Sequence, residues 1–164
     1  KKKIKNLLTI IIPRHISRCT QIKKDLEKLN LAVHTIGSHS NLTKNTDIFL
    51  INSYGKTKIF FNNSEHVFLG GSLMKHGGQN PLEPARLGCN ILHGPYVNNF
   101  KEIYKFLEKN KISKKIQNQN HLTKSLEKLF NKRMVTKKTQ KKLKLIGKNI
   151  LEKSYNHLKL NYDF

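Results

Sequence analysis

Short apolar runs alternate along the chain with segments of helical spacing. The runs predict six β-strands, at residues 7–12, 31–36, 47–51, 66–69, 90–92 and 112–116. The first run, LLTIII at 7–12, ends at Pro13 and predicts a strand buried on both faces. Lys114 and Lys115 in the last run are typical of a strand at the edge of a sheet.

Apolar residues with helical periodicity predict helices between and after these strands. The predicted helices cover residues 17–29, with Ser17 as the N-cap, and residues 54–61, 81–87, 98–107, 121–130 and 136–160. Strands separated by helices favour βαβ units, so the sequence predicts an α/β fold with a parallel, doubly wound sheet.

Polar and glycine-rich segments follow several of the predicted strands. Arg14 and His15 follow the first strand, residues 53–56 follow the third, and residues 70–80 follow the fourth. Ligands of open parallel sheets bind at the carboxyl ends of the strands. These segments are therefore the candidates for ligand binding.

The segment at 70–88, GGSLMKHGGQNPLEPARLG, carries four glycines in its first nine residues, which lets a backbone approach a ligand closely. Asn80 is a suitable N-cap, Pro81 suits the first helical position, and Glu83 stands three residues after the cap. The helix start can bind a phosphate, and the Glu83 carboxylate can accept hydrogen bonds from a ribose. A capping box that only starts a helix explains the same residues. The segment is neither a Walker loop nor a GxGxxG motif.

The length of 164 residues suits one domain. The 32 Lys and Arg against 10 Asp and Glu give a net charge of +22, and residues 101–164 hold 18 of the basic residues. Lysine supplies 28 of the 32, whereas proteins that read nucleic acids favour the bidentate guanidinium of arginine. Solvated helix faces are therefore the favoured interpretation of the charge, before an anionic lipid surface and, last, nucleic acid.

The longest apolar run is far shorter than the roughly 20 residues that cross a bilayer, so no membrane-spanning segment is predicted. No signal peptide is predicted either. Cys19 and Cys89 lie far apart in unrelated contexts, which predicts free thiols and a reducing compartment.

Three segments together resemble a known family. They are IIPRH at 11–15, VFLGGSLMKHGGQNPLEPARLG at 67–88 and ILHGPYVNNF at 91–100. They are similar, in the same order, to PRH, to FVGGSL followed by GGHNPLEPA, and to GPH…NF in the carboxy-terminal half of 3-deoxy-D-manno-octulosonic acid (Kdo) transferases. The resemblance is close over about residues 7–107 and extends to the remainder only through its helical character.

The resemblance implies a two-domain glycosyltransferase of the GT-B type. Residues 1–164 would be its single C-terminal, Rossmann-like domain with C-terminal helices, and the N-terminal acceptor domain would be absent. The domain would bind the CMP part of the donor, CMP-Kdo. The whole enzyme would transfer Kdo to the lipid A precursor in lipopolysaccharide biosynthesis, without a metal or other cofactor. It would act as a peripheral protein on the cytoplasmic face of the anionic inner membrane, with no nucleic-acid partner.

By resemblance, the CMP-contacting positions are Pro13, Arg14, Tyr54, Gly55, Lys56, Asn80, Pro81, Leu82 and Glu83. The chemistry of the residues agrees for three of them, because Arg14 can pair with the phosphate, Asn80 can start a helix beneath it, and Glu83 can hold the ribose. The general base of the family is a glutamate in the N-terminal domain. No catalytic residue is therefore expected in this chain.

Three positions depart from the family pattern. Residues 54–56 are Tyr-Gly-Lys where the family usually has Met-Gly-Glu, so any hydrogen bond accepted by that carboxylate is lost. Gln79 stands where the family commonly has His, which removes an acid–base group.

Two alternatives stay open: a GT-B transferase for another nucleotide sugar, and a non-catalytic basic module that binds nucleic acid or an anionic membrane. The basic module leaves the GGQNPLEP motif unexplained.

Other candidate chemistry has a structural interpretation. The eight histidines show neither HxxxH nor HExxH spacing, so no metal site is expected. His15 and His93 are expected to donate hydrogen bonds beside the cleft, and His34 to be a structural strand residue. Ser72 lacks the GxSxG setting of a nucleophile and is expected to be a loop residue near the ligand.

Overall fold

The computed structural model describes residues 4, 7–36, 43–131, 143 and 145. The chain divides into two compact units, Lys1–Phe60 and Phe61–Phe164. The predicted helix at 136–160 lies outside the described residues except for Leu143 and Leu145, which are helical. The assignment of all 164 residues to one domain stays a prediction.

The first unit contains a parallel three-stranded sheet. Its strands are β1 (Thr9–Ile11), β2 (Val33–Thr35) and β3 (Ile48–Leu50), in the order β1-β3-β2. Ile48 and Leu50 are buried in the central strand, as expected for parallel strands. Helix α1 (Cys19–Glu27) connects β1 to β2, and helix α2 (Thr57–Asn62) follows β3.

Two details of this unit correct the predictions. Thr9 is exposed and Ile10 and Ile11 are only half-buried, because β1 lies at the end of the strand order rather than in its centre. Ser17 is not an N-cap, since it lies inside a 3₁₀ turn, Ile16–Arg18, that runs directly into α1 without a side-chain cap.

The second unit contains another parallel three-stranded sheet. Its strands are β4 (His66–Leu69), β5 (Asn90–His93) and β6 (Ser113–Lys115), in the order β4-β5-β6. The helices are α3 (Leu82–Arg86), α4 (Lys101–Lys109), which a 3₁₀ turn at Asn98–Phe100 precedes, and α5 (Gln119–Phe130). Helix α3 contacts β5, and α4 contacts β6.

The core of the second unit is built from side chains of both its strands and its helices. Its buried members are Leu69, Ala85, Ile91, Val97, Tyr104, Leu107 and Ile112. They come from β4, β5, α3, α4 and the loops between them. The predicted α/β class with parallel strands is confirmed, and β6 occupies the edge position that its exposed lysines indicated.

Candidate functional site

The carboxyl ends of β1 and β3 lie side by side in the first unit. The two strands are parallel neighbours, with Ile11 opposite Leu50. Arg14 leaves β1 at the same edge at which residues 53–56 leave β3, as the βαβ prediction required. Arg14 is exposed and Pro13 is half-buried. This edge of the sheet therefore carries both the exposed Arg14 and the turn after β3.

The turn after β3 depends on one glycine. Gly55 has a φ of +76°, a left-handed conformation that glycine adopts without a steric penalty. Tyr54 before it is 72% exposed. The carbonyl of Lys56 accepts from the N–H groups of Ile59 (3.2 Å) and Phe60 (3.4 Å), so Lys56 starts α2. Among the described residues, neither Arg14 nor Lys56 has a side-chain hydrogen bond or ion pair, and both cations are available to an anion.

The loop after β4 folds back on itself. Gly71 and Gly77 have φ angles of +75° and +80°. A Cβ at Gly71 would lie 2.8 Å from the carbonyl oxygen of Gly77, closer than real side chains come. These glycines therefore allow the two ends of the loop to touch. The sequence predicted that they let the backbone approach a ligand closely, and here they let the backbone approach itself.

Ser72 ties the ends of β4 and β5 together. Its side chain is fully buried, and its Oγ donates to the carbonyl of Leu69 (2.6 Å) and accepts from the N–H of Gly94 (2.8 Å). Its own carbonyl accepts from the N–H of Tyr96 (2.9 Å). The prediction that Ser72 is a loop residue is confirmed, because it lies in the turn after β4, and its hydroxyl and carbonyl are committed to the fold. Its nearness to a ligand stays a prediction.

Helix α3 begins one residue later than the sequence indicated, with Leu82 as its first residue and Pro81 at the N-cap position, so Asn80 caps the helix from the residue before. The Asn80 Oδ1 accepts from the N–H of Leu82 at 3.0 Å. Pro81 has a φ of −87° and is fully buried, and Pro84 has no N–H with which to extend the helix back to the Asn80 carbonyl. The helix has only five residues, so its dipole is small. Because Pro81 has no N–H and that of Leu82 is capped, few amides remain for a phosphate.

Glu83 does not complete a capping box. Within the part of the chain that the structure describes, its carboxylate accepts no hydrogen bond from the Asn80 N–H and forms no ion pair. The side chain is exposed, whereas Leu82 beside it is half-buried. The carboxylate is thus free to bind a ligand, which favours the second of the two interpretations that the sequence left open.

The wall behind this loop consists of buried residues from β5 and α4. The Tyr104 hydroxyl donates to the carbonyl of Gln79 at 2.8 Å, and the Tyr104 ring lies 4.2 Å, centroid to centroid, from the ring of His93. His93 Nδ1 lies 2.8 Å from the carbonyl of Gly94, which can only accept, so Nδ1 carries a proton. His93 Nε2 lies 2.9 Å from a Glu108 carboxylate oxygen, without the alignment of a hydrogen bond.

His93 is therefore a core residue whose Nδ1–H donates a hydrogen bond, as predicted, but whose full burial contradicts the prediction that it lies beside the cleft. It is fully buried, and its burial lowers the pKa of its imidazole. His15 is exposed, as the prediction for a ligand-facing residue requires. His34 lies in β2 with its ring 5.5 Å from that of Phe49, which confirms its structural role.

The cysteines are free, as predicted, and both are buried. Cys89 Sγ donates to the carbonyls of Phe61 (3.3 Å) and Ser64 (3.4 Å), and burial raises the pKa of its thiol to about 11. Within residues 4, 7–36, 43–131, 143 and 145, no three His, Cys, Asp or Glu residues form a group that could hold a metal ion. No helix in the same residues is long and apolar enough to span a membrane.

A solved protein domain shares this fold. The chain superposes with a TM-score of 0.75 on the C-terminal CMP-Kdo binding domain of WaaA from Acinetobacter baumannii, with 25% sequence identity, covering 82% of this chain and 70% of that one. The chain is a relative of the carboxy-terminal domain of Kdo transferases. The family resemblance and the Rossmann-like, GT-B type of the fold are thereby confirmed.

Curated relatives agree with this family. The chain is 34% identical to the Kdo transferase of Haemophilus influenzae over 105 residues, which are 64% of this chain and 25% of that protein. It is 26% identical to the Kdo transferase of Aquifex aeolicus over 149 residues, which are 90% of this chain and 40% of that protein. The chain thus spans well under half the length of these relatives. No protein-family model matches it.

The nine positions that the Kdo transferase resemblance assigns to CMP fall into two groups, one on each unit. Pro13, Arg14 and residues 54–56 lie at one edge of the first sheet, and residues 80–83 start α3 in the second unit. Sequence reasoning missed the buried support of the second group, the Tyr104 hydroxyl that donates to the Gln79 carbonyl. Tyr104 could be placed on the apolar face of α4 from its spacing, but nothing in the sequence indicated where its hydroxyl binds.

Proposed function

We propose that this chain is the donor-binding domain of a glycosyltransferase that transfers Kdo from CMP-Kdo. The observation that carries the proposal is the exposed and unpaired Glu83 carboxylate in the NPLEP turn, within a fold shared with a CMP-Kdo binding domain. A carboxylate consumed by a capping box would not support it. Two exposed cations at the edge of the first sheet add the charge that a phosphate needs.

Each group of residues has a separate task in this proposal. Arg14 pairs with the phosphate of CMP through its planar guanidinium, which matches two phosphate oxygens at once. Glu83 accepts hydrogen bonds from the ribose hydroxyls, and the capping bond at Asn80 fixes the turn that carries it. Pro81 and Leu82 contribute mainly through this turn, because the Pro81 ring is buried.

Lys56 gives this chain a donor site with a different charge from the family pattern. A carboxylate at this position would repel a phosphate, whereas the Lys56 ammonium attracts it. Tyr54, which is 72% exposed, offers an aromatic face beside it. Tyr54 and Gly55 then bind through the exposed ring and through the backbone of the turn.

The reaction of the whole enzyme follows from the leaving group. A hydroxyl oxygen of the acceptor forms a bond to the anomeric carbon of Kdo, and the bond from that carbon to the phosphate oxygen breaks. CMP leaves with the electron pair, and a base on the N-terminal domain takes the hydroxyl proton. Arg14 and Lys56 stabilise the charge that develops on the leaving phosphate, so the proposal needs no metal or other cofactor.

The acceptor and the location belong to the same proposal. The acceptor is the lipid A precursor, bound by an N-terminal domain, and the whole enzyme is a peripheral protein on the cytoplasmic face of the inner membrane. The high net charge of +22 supports contact with an anionic lipid surface. The catalytic base is not part of this chain in this account.

A titration with CMP tests the donor site. The 164-residue chain, Glu83→Ala and Arg14→Ala are titrated calorimetrically with CMP, and both variants are expected to weaken binding by about tenfold or more. Glu102→Ala and Arg86→Ala are matched controls, since both residues are exposed and lie outside the proposed site. We expect the controls to bind CMP as the unchanged chain does.

The same titration separates the alternatives. Competition by UDP as effective as that by CMP would favour a transferase for another nucleotide sugar. Absent CMP binding together with tight DNA binding that disappears with salt would instead indicate a basic nucleic-acid module.

A further inference from the structure

The loop that leads to Asn80 is held from behind by one buried hydroxyl. Tyr104 in α4 is 1% exposed, and its hydroxyl donates to the carbonyl oxygen of Gln79 at 2.8 Å. Burial raises the pKa of Tyr104 far above its usual range, so the hydroxyl keeps its proton and remains a donor. This hydrogen bond links α4 to the residue immediately before Asn80.

The position of the Tyr104 hydroxyl is itself fixed. The ring lies against the fully buried His93 ring, with 4.2 Å between centroids, and belongs to the core of the second unit. A side chain buried in this way has little rotational freedom. The hydroxyl is therefore held in one position by the packing of the ring, unlike a mobile donor on the surface.

The loop also lacks space to move toward this wall. A Cβ at Gly78 would lie 2.8 Å from Val97 Cγ1 and 3.4 Å from the Tyr104 hydroxyl oxygen. A Cβ at Gly77 would lie 3.1 Å from the Asn99 side chain. The backbone at 77–79 is thus in direct contact with residues that precede and form α4.

Holding the Gln79 carbonyl fixes more than one atom. The carbonyl of Gln79 and the N–H of Asn80 belong to one planar peptide group, and this peptide is trans. With the oxygen directed at Tyr104, the Asn80 N–H points the opposite way, away from the wall. The Tyr104 hydroxyl therefore sets the orientation of Asn80, whose side chain in turn holds the turn that carries Glu83.

We propose that Tyr104 is a positioning residue for donor binding, acting through the Gln79–Asn80 peptide. The inference rests on the proposed function, because it assigns Tyr104 a role at the same CMP site. Tyr104 does not touch the nucleotide in this account. Its effect is to hold the Asn80 side chain and the Glu83 carboxylate in place before the ligand arrives. Less conformational entropy is then lost when CMP binds.

The direct test replaces the hydroxyl alone. In the 164-residue chain, Tyr104→Phe keeps the buried ring and removes the bond to Gln79, and we expect CMP to bind about three- to tenfold more weakly. Hydrogen exchange at the Leu82 and Ala85 amides, which donate to Asn80 Oδ1 and to the Pro81 carbonyl, should become faster, while exchange in β5 and β6 stays unchanged. Tyr96→Phe is the matched control, because the Tyr96 hydroxyl has no hydrogen-bond partner among the described residues.

A second set of variants tests the contact without touching Tyr104. Gly78→Ala should push the loop off the wall, since its new Cβ would meet Val97 Cγ1. Val97→Ala removes that Cγ1, so the double variant Gly78→Ala with Val97→Ala should recover most of the lost CMP affinity. A general loss of stability would not be repaired by a second core deletion, which makes the rescue specific to loop position.

The outcomes distinguish this inference from the proposed function. If the unchanged chain does not bind CMP, both are overturned. If Glu83→Ala loses CMP binding while Tyr104→Phe binds as the unchanged chain does, the donor site stands and the role of Tyr104 is refuted. Exchange that rises uniformly through the second unit in Tyr104→Phe would also contradict a positioning role.

Discussion

Two glycines in the described loops differ in what they require of the backbone. Gly55 has a φ of +76° and Gly70 has no positive φ, yet a Cβ at either position would meet nothing within 4 Å. Any difference in stability between their alanine variants is therefore caused by the backbone conformation and not by a steric clash of the new Cβ. We expect Gly55→Ala to lower the free energy of unfolding by about 1–2 kcal/mol, and Gly70→Ala to change it little. Urea denaturation of both variants measures this, and equal effects would contradict the left-handed turn after β3.

The buried Ser72 hydroxyl gives a second prediction. Ser72→Ala leaves the Gly94 N–H without its acceptor, and an unsatisfied buried group costs about 1–3 kcal/mol. Ser17→Ala is the control, because Ser17 is exposed and its side chain caps no helix. Thermal unfolding should show a clearly lower midpoint for Ser72→Ala and an unchanged one for Ser17→Ala. A loss at Ser17 comparable to that at Ser72 would restore its predicted role as an N-cap.

At the scale of single residues, the sequence predicted the hydrogen bonds between residues that are close together along the chain. The Asn80 cap bonds to a residue two positions away, and its residue type alone indicated it. Ser72 bonds to Gly94 and Tyr104 to Gln79, across separations of 22 and 25 residues. Such contacts depend on how strands and helices pack, which residue types and spacing do not determine. The CMP contacts themselves stay predictions.

At the scale of elements, the sequence placed every strand and helix of the described range, but with limits that were often too wide. The strand predicted at 7–12 is observed only over Thr9–Ile11, where it pairs with β3. Helix α5 begins earlier than predicted, at Gln119, because Asn118 Oδ1 accepts from the N–H of His121 at 2.9 Å. Strand ends depend on the partner strand, and burial depends on the place in the sheet, neither of which the apolar pattern reports.

The pairing of β4 with β5 has a pH-dependent component. His66 Nδ1 lies 3.2 Å from the Asn90 amide nitrogen, which donates to it, and burial lowers the pKa of His66 below 6.5. The unfolded chain therefore takes up a proton before the folded chain does, so stability falls as the pH drops below about 6.5.

Urea denaturation at pH 7.5 and 5.5 measures this effect. We expect the chain to lose stability at the lower pH, and His66→Gln to lose less. His76→Gln is the control, because His76 is exposed. An equal loss in the chain and in His66→Gln would show that His66 does not carry the pH dependence.

At the scale of the whole molecule, the charge and the similarity to known proteins lead to different expectations. Every lysine in the described range is exposed except Lys23, which is half-buried, as the interpretation of solvated helix faces predicts. The net charge of +22 alone would favour any anionic partner. The shared fold and the order of three motifs along the chain instead indicate a relative of the carboxy-terminal domain of Kdo transferases, and the CMP site that we propose rests on this similarity. The net charge therefore reflects the many exposed lysines on the surface, whereas the motifs identify the residues of the candidate site.

A nuclear magnetic resonance titration of the ¹⁵N-labelled chain with CMP tests the donor-site claim most directly, because it locates the ligand as well as detecting it. The account predicts saturable shifts of the amides at Arg14, Gly55 and Glu83, with the amides of the exposed Lys124 and Lys128 in α5 unchanged. Shifts spread over the lysines and abolished by moderate salt, or no shifts at these three residues at saturating CMP, would contradict it.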